Sequence, residues 1–355
     1  MGGFIEVSTS TDSFSGFAGD IKTLTEMGKP LSLLEERIAL SFKASKAPSV
    51  SVIVCTRDRP AQLARCLGSL QNLSHKPDEI CVVDNASRSD ETCTVTAGFG
   101  DVHYVYEPKP GLNVARNKGI RQSSGDIIAF VDDDVTVHGD WLDAIQGAFV
   151  DLGVMAVTGL ALPAELKTQA QYLFETHWGF GRGYQDKVFG RQFFERFRSR
   201  GVPVLEIGAG ANMAFRRRVF DDVGLFDERL DVGAAGCSGD SEMWYRILAR
   251  GGICHYVPTA VVYHYHRPEM EAFHRQLFYY MRGHVTALLI QFERHRHWGN
   301  LRRMLLSLPV YYAGLMIHGL LYGFSGRKST LKSEILGCLS GVKFYLNQKQ
   351  REKCN

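Results

Sequence analysis

The stretch Ile127-Ile128-Ala129-Phe130-Val131 runs without a break into Asp132-Asp133-Asp134, and no other segment restricts the fold as much. Uninterrupted apolar residues after Gly125 suit a strand buried on both faces, as in a parallel sheet covered by helices. Three carboxylates cannot follow such a strand into the core, so it must end where charge is solvated or compensated. Side chains two apart on an extended chain point the same way, so Asp132 and Asp134 are expected to converge on one ligand. Carboxylates that close repel each other, and one takes up a proton unless a cation or donor compensates. Oxygen ligands of this kind suit Mg²⁺ or Mn²⁺, which one or two carboxylates hold together with substrate phosphates. A solvated acidic turn is the competing explanation, and the neighbouring segments decide between the two.

Those segments alternate strand and helix patterns. Strands are expected at Val50–Val54, Ile80–Val83, Val102–Tyr106, Ile127–Val131 and Met155–Thr158. Pro60 suits a helix first turn, and Leu63, Cys66, Leu67 and Leu70 recur at helical spacing after it. Leu142, Ile145, Phe149 and Leu152 mark a helix behind the acidic run. The alternation predicts an α/β fold with a mostly parallel central sheet flanked by helices. Polar residues collect where strands end: Thr56-Arg57-Asp58, Asp84-Asn85 and Asp132-Asp133-Asp134. Open α/β sheets bind ligands in that crevice, so three polar strand ends together predict a binding site.

Five segments occur in a recognisable order. They are Val50-Ser51-Val52-Ile53-Val54-Cys55-Thr56-Arg57-Asp58-Arg59-Pro60, Val82-Val83-Asp84-Asn85-Ala86-Ser87, Gly111-Leu112-Asn113-Val114-Ala115-Arg116-Asn117, Phe130-Val131-Asp132-Asp133-Asp134 and Gly239-Asp240-Ser241-Glu242-Met243. This set resembles family 2 glycosyltransferases, enzymes with the nucleotide-sugar-binding GT-A fold, over about Val50 to His266. The resemblance implies an inverting enzyme that moves one sugar from a nucleoside-diphosphate sugar to a hydroxyl acceptor, in polysaccharide, glycolipid or glycan assembly. Thr56, Arg57 and Asp84 would hold the donor nucleotide, with Asp84 receiving a base N–H. Asp132 would accept from a ribose hydroxyl, Asp133 falls in the same donor-binding set, and Asp134 would ligate Mn²⁺ or Mg²⁺. Arg116 is the expected partner of the departing phosphate. His264, after the apolar Thr259–Tyr263, is expected near the cation, and His266 shares its strand face.

Asp240 is the expected general base. A hydroxyl is a poor nucleophile until its proton is taken as it attacks, which a carboxylate within hydrogen-bond reach does. The loop Gly233 to Gly239 leads into the helical pattern Met243, Ile247, Leu248, which puts Asp240 near a helix N-terminus. Glu242 belongs to the same motif and is expected on the acceptor side, or as a first-turn acid favoured by the helix dipole. Trp178, Phe180 and Tyr184, in a glycine-rich stretch, suit a sugar or lipid acceptor or simply a loop packed over the sheet.

Three regions follow: residues 1–47 as an appendage with a helical pattern at Leu31 to Phe42, residues 48–267 as the catalytic domain, and residues 268–355 as a helical C-terminal region. Leu305 to Phe324 has the length of a membrane span, with Arg294, Arg296, Arg302 and Arg303 before it and Arg327, Lys328 and Lys332 after it. Basic residues on both flanks predict a helix or re-entrant pair resting on the cytoplasmic face of a membrane, the alternative being a buried helix of an added domain or an oligomer interface. No basic stretch followed by an apolar one opens the chain, which argues against secretion. The 8 cysteines are scattered, as in a reducing compartment. A net charge of +3 does not call for nucleic acid.

Gln291-Phe292-Glu293-Arg294-His295 lacks the tryptophan of the processive Gln-x-x-Arg-Trp motif, so single-sugar addition is expected. A sugar nucleotidyltransferase would share crevice and metal, but needs a glycine- and lysine-rich loop that Thr56-Arg57-Asp58-Arg59 is not. A non-catalytic nucleotide-sugar-binding protein would have no use for Asp132, Asp134 and Asp240 together. Gly208-Ala209-Gly210-Ala211, after the strand-like Val204 to Ile207, lacks the third glycine of a dinucleotide loop.

Overall fold

In the computed structural model, which describes residues 47–354, β1 (Val50–Thr56), β2 (Glu79–Asn85), β3 (Val102–Glu107) and β4 (Ile127–Asp132) form a parallel half of one sheet. The helical pattern at Leu31 to Phe42 lies outside the described residues. β1 pairs with β2 on one side and β4 on the other, in a register that sets Thr56 beside Asp84 and Cys55 beside Asp132. The polar strand ends therefore meet at one edge, as the strand-end pattern requires.

The sheet continues through β5 (Val135–Val137), β6 (Val154–Pro163), β7 (Lys187–Phe189), β8 (Asn212–Arg216) and β9 (Ile253–His264). Its order is β3-β2-β1-β4-β8-β6-β9-β5, with β7 also on β9. β8 runs antiparallel to both β4 and β6, and β5 and β7 run antiparallel to β9. The sheet is thus mixed, where the sequence pattern predicts mostly parallel pairing. The strand expected before the glycine loop is a 3₁₀ turn, Val204–Glu206, and the strand proper begins at Asn212. A buried asparagine hides that strand from a hydrophobic pattern. Asn212 accepts from Trp141 Nε1 at 2.9 Å and donates to the Leu160 and Ala260 carbonyls, so its amide is satisfied inside the core.

The apolar run of each central strand feeds both faces. Val52, Val54, Ala129 and Val131 pack against α1 (Pro60–Gln71), whose buried residues are Leu63, Cys66, Leu67 and Leu70. Ile53, Ile128 and Phe130 turn to the other face, toward Phe215, Phe226 and Trp244. Four more helices are α2 (Leu112–Gln122), α3 (Trp141–Ala148), α4 (Gln169–Trp178) and α5 (Gly239–Ala249), of which α2, α4 and α5 supply residues to the crevice. α3 stops before Leu152, which is exposed.

Beyond the sheet, α6 (Met270–His295) packs along α8 (Leu331–Cys354) through Ala287, Ile290, Phe344 and Tyr345. Between them runs α7 (Trp298–Tyr322), with a π-helical turn at Arg303–Ser307. α7 is long and apolar enough to cross a membrane, and only 11% of its most apolar stretch is buried. Val310, Ile317, Leu320, Leu321 and Tyr322 all stand exposed. Tyr312 anchors its inner side by donating to the buried Glu334 at 3.1 Å.

Candidate active site

The strand ends open on a cleft of about 660 Å³, lined among others by Thr56, Arg57, Arg59, Arg116, Asp132, Asp133, Asp134, Asp240 and His264. Alternation at the end of β4 divides the aspartates. Asp133 is buried, accepting from Thr56 Oγ1 at 2.7 Å and Arg59 Nη1 at 2.9 Å. Asp132 and Asp134 keep part of their side chains open to the cleft. Arg116 Nη2 lies 3.6 Å from Asp132, while Asp134 meets Arg59 Nη1 at 3.3 Å and His264 Nε2 at 3.4 Å. Burial pushes the Asp132 carboxyl up to about 7 against the pull of Arg116, with Asp134 and Asp133 adding to the rise. Burial likewise holds His264 below the usual imidazole range, leaving it neutral at pH 7.

Arg116 is held, not loose on a surface. It is 5% exposed, lies over the Phe226 ring at 5.5 Å, and sits one turn into α2. The N-terminus of α2 has no side-chain cap of its own; Asp231 supplies one from far along the chain, accepting from Asn113 N at 3.0 Å and Val114 N at 3.1 Å. Gly111 precedes that helix at φ 148°, and a Cβ there would strike the Asp231 carboxylate. Asn113 and Asn117, four apart on one helix face, tie α2 to the carbonyls of Asp227 and Phe226.

On the opposite wall Asp240 is the second residue of α5. Its Oδ1 accepts from Ser241 N at 2.7 Å and Ser241 Oγ at 3.1 Å. Gly210 brings the two walls together: a Cβ there would sit 2.6 Å from Asp240 Oδ2 and 3.2 Å from Arg116 Nη2. The glycine loop is a close approach of backbone to these two side chains, not a dinucleotide cradle.

Two expected site residues stand elsewhere. Glu242 is 0% exposed and does not line the cleft; it pairs with Arg246 Nε at 2.8 Å and with Arg294 Nη1. One residue of helical twist beyond Ser241 turns it into the core, so an acceptor contact is replaced by an internal ion pair. Asp84 is 1% exposed and also off the cleft, with Oδ2 taken by the Tyr104 hydroxyl at 2.8 Å and Oδ1 by Ser87 N at 3.1 Å. Each oxygen thus already accepts one hydrogen bond, and the carboxylate is sealed from the cleft. Arg57 lines the cleft with its side chain half exposed. Asp58 takes the left-handed region at φ 54°, which Asp and Asn tolerate, and accepts from Arg88 N at 2.8 Å.

Residues 51–224 match the family model described as Glycosyl transferase family 2. The chain carries a family 2 glycosyltransferase domain. Relatives of this chain include the glucosyl-dolichyl phosphate glucuronosyltransferase of Haloferax volcanii, 26% identical over 50% of this chain and 56% of that protein. The pre-mycofactocin glycosyltransferase of Mycobacterium tuberculosis is 27% identical over 62% of this chain and 43% of that protein. The chain spans about half the length of the curated relatives it matches. Among solved structures, the mannosyltransferase PcManGT from Pyrobaculum calidifontis, in complex with GDP-Man and Mn²⁺, superposes with a TM-score of 0.57 at 18% identity. That match covers 84% of this chain and 88% of that one, and it shows the shared GT-A fold.

Two residues that shape the cleft are not singled out by spacing or periodicity. Arg59 reads as a loop residue before Pro60, and Asp231 as part of a glycine-containing turn. Their partners lie 74 and 118 positions away, beyond the reach of spacing or periodicity.

Proposed function

We propose that the chain moves one sugar from a nucleoside-diphosphate sugar to a hydroxyl acceptor with inversion, using Mn²⁺ or Mg²⁺. The observation that carries this reading is the meeting of Asp240 and Arg116 across Gly210, directly beside the open edges of Asp132 and Asp134. Among the described residues no three His, Cys, Asp or Glu side chains form a closed cage for a metal. Asp134 and the neutral His264 offer one oxygen and one nitrogen, a partial set that suits a cation completed by diphosphate oxygens. When bound, such a cation supplies Lewis-acid stabilisation of the departing diphosphate.

The remaining roles belong to the side chains. Arg116 adds a fixed positive charge near the same phosphates, pre-aimed by the cap on α2. Asp132 accepts from a ribose hydroxyl, and Arg57 faces the nucleotide. Thr56 and Arg59 hold Asp133, and so hold the turn that aims its neighbours. Asp240 Oδ2 removes the acceptor proton as the hydroxyl attacks the anomeric carbon from the face opposite the diphosphate.

The acceptor enters beside Trp178, Phe180 and Tyr280, which line the same cleft. Trp178 and Met281, both cleft residues, pack on Tyr312 and Leu315 of α7. The exposed apolar face of α7, flanked by Arg302, Arg303, Arg327 and Lys328, fits a helix lying in the headgroup region of an anionic cytoplasmic leaflet. A lipid-linked or glycan acceptor is then presented at the cleft from the membrane side.

Calorimetric titration with UDP, GDP, dTDP and CMP, each with and without Mn²⁺ or Mg²⁺, tests the donor reading. Metal-dependent binding of one nucleotide, lost in Asp134→Ala, supports it. Binding of none turns the assignment toward a non-catalytic domain. Binding of a nucleoside triphosphate with pyrophosphate release would favour a sugar nucleotidyltransferase.

A further inference from the structure

We infer that His284, with Tyr280 and Gln276, forms a subsite for a sugar ring, so that the attacking hydroxyl belongs to a glycosyl group and not to a bare lipid phosphate. The inference rests on the transfer reading above and narrows its acceptor.

Gln276, Tyr280 and His284 recur every fourth residue on one face of α6, and all three line the cleft. α6 is pressed against the loop that leads into Asp240. A Cβ on Gly283 would lie 2.5 Å from the Cys237 carbonyl oxygen, and one on Gly236 would lie 2.9 Å from Tyr279 Cβ. Contact this close needs glycine on each side, and it fixes the polar face of α6 beside the proposed base. The Asp240 charge reaches the Tyr280 phenol.

The three side chains retain hydrogen-bonding groups for a ligand. No described residue hydrogen-bonds to the His284 ring, which is half-buried at the cleft wall. Gln276 Nε2 donates to Tyr280 Oη at 2.7 Å, which leaves the phenol hydrogen and the Gln276 side-chain carbonyl unclaimed. Burial and the Arg303 charge push the His284 imidazole down to about 3, so at pH 7 one ring nitrogen donates and the other accepts. So weak a base does not compete with Asp240 for the acceptor proton. Sugar hydroxyls also donate and accept, and they match this face better than a phosphate, whose ionised oxygens only accept.

Nearby cations are mostly engaged. Arg182 donates to the Leu205, Gly179 and Gly181 carbonyls, and Arg275 pairs with Glu271. Arg267 is exposed, and its charge reaches His264 as well as Tyr280. Trp178 and Phe180 line the same cleft and offer flat faces to a sugar ring. In the transfer itself, the sugar hydroxyl oxygen bonds the anomeric carbon as its proton passes to Asp240. The bond from that carbon to the diphosphate breaks, and the nucleoside diphosphate leaves with the electron pair.

Saturation-transfer NMR on the full chain tests the subsite, with Mn²⁺ and whichever of UDP, GDP, dTDP or CMP binds. The probes are the methyl glycosides of glucose, galactose, mannose and N-acetylglucosamine, with farnesyl phosphate as the sugar-free lipid phosphate. At least one glycoside should bind, and adding it should shift the ¹⁵N signals of His284 in the wild-type protein. His284→Phe should weaken that glycoside by about 10-fold, the effect of one lost hydrogen bond. His284→Asn, which keeps a donor and an acceptor, should recover most of the loss. Nucleotide affinity should be unchanged in both variants, which also confirms that they fold.

Nucleotide binding with no glycoside bound, or with farnesyl phosphate bound alone, overturns the subsite. So does unchanged glycoside affinity in a folded His284→Phe, or a wild-type His284 signal that the glycoside leaves in place. If neither variant folds, that wild-type signal decides. Failure of the wild type to bind any nucleotide would remove the transfer reading, and the subsite with it.

Discussion

Asp132-Asp133-Asp134 and Asp240-Ser241-Glu242 are both short acidic motifs at the end of an element, yet the fold resolves their charge in different ways. At the strand end, alternation sends the middle carboxylate inward to Thr56 and Arg59 and leaves its two neighbours at the cleft. At the helix start, the 100° step per residue separates Asp240, on the cleft, from Glu242, sealed against Arg246 and Arg294. Each motif thus combines acid at the cleft with one acid buried behind it. Motif membership does not fix where a side chain goes; the period of the element does.

Asp240→Asn should fold normally and reduce transfer by about 10²–10⁴-fold, the range of a lost general base, in a single-turnover assay with the bound donor. Retained turnover would remove Asp240 from the chemistry. Its motif partner should behave in the opposite sense. Glu242→Ala leaves the buried Arg246 without its carboxylate, removes one of the two acids that Arg294 binds, and should cost about 3–5 kcal/mol in a urea melt. Any loss of transfer should then follow the unfolded fraction, with KM for the donor unchanged in the folded part.

The support inside the first motif is smaller. Thr56→Val removes one hydrogen bond to the buried Asp133 and should cost about 1–3 kcal/mol by the same melt. An unchanged midpoint would show that Arg59 alone holds the turn. The smallest effect concerns pH. The folded Asp132 carboxyl titrates at about 7, above the unfolded value near 4, so its contribution stabilises below the unfolded pKa and is lost as pH rises through 7. Asp132→Asn should therefore raise metal-free stability at pH 8 by about 1–2 kcal/mol, since solvent at the cleft screens part of the shift. The same variant should flatten the stability profile between pH 4 and 7, and a profile parallel to wild type would contradict the assignment.

The alternation of strands with α1 and α3, and the meeting of three polar strand ends, are legible because they rest on local periodicity. Leu63, Cys66, Leu67 and Leu70 are buried as their spacing requires. What the sequence does not disclose is long-range. The antiparallel β8 hides behind Asn212, whose polarity is satisfied only by Trp141, Leu160 and Ala260. Arg59 and Asp231 look like ordinary surface residues until distant segments arrive beside them. Asp84 and Glu242 show the converse, where a motif position suggests a ligand contact and tertiary partners take the side chain first. Arg294, the arginine of the incomplete processive motif, binds Glu242 and Asp227 and so locks α6 to α5.

The proposed donor site requires a divalent cation at the cleft edge, held by Asp134 and His264. Crystals soaked with Mn²⁺ and the nucleotide found to bind, measured at the manganese absorption edge, locate that ion directly. An anomalous peak within coordination distance of an Asp134 oxygen and His264 Nε2, bridging to phosphate, is the predicted result. Ordered nucleotide in the cleft with no manganese peak at Asp134 would contradict it.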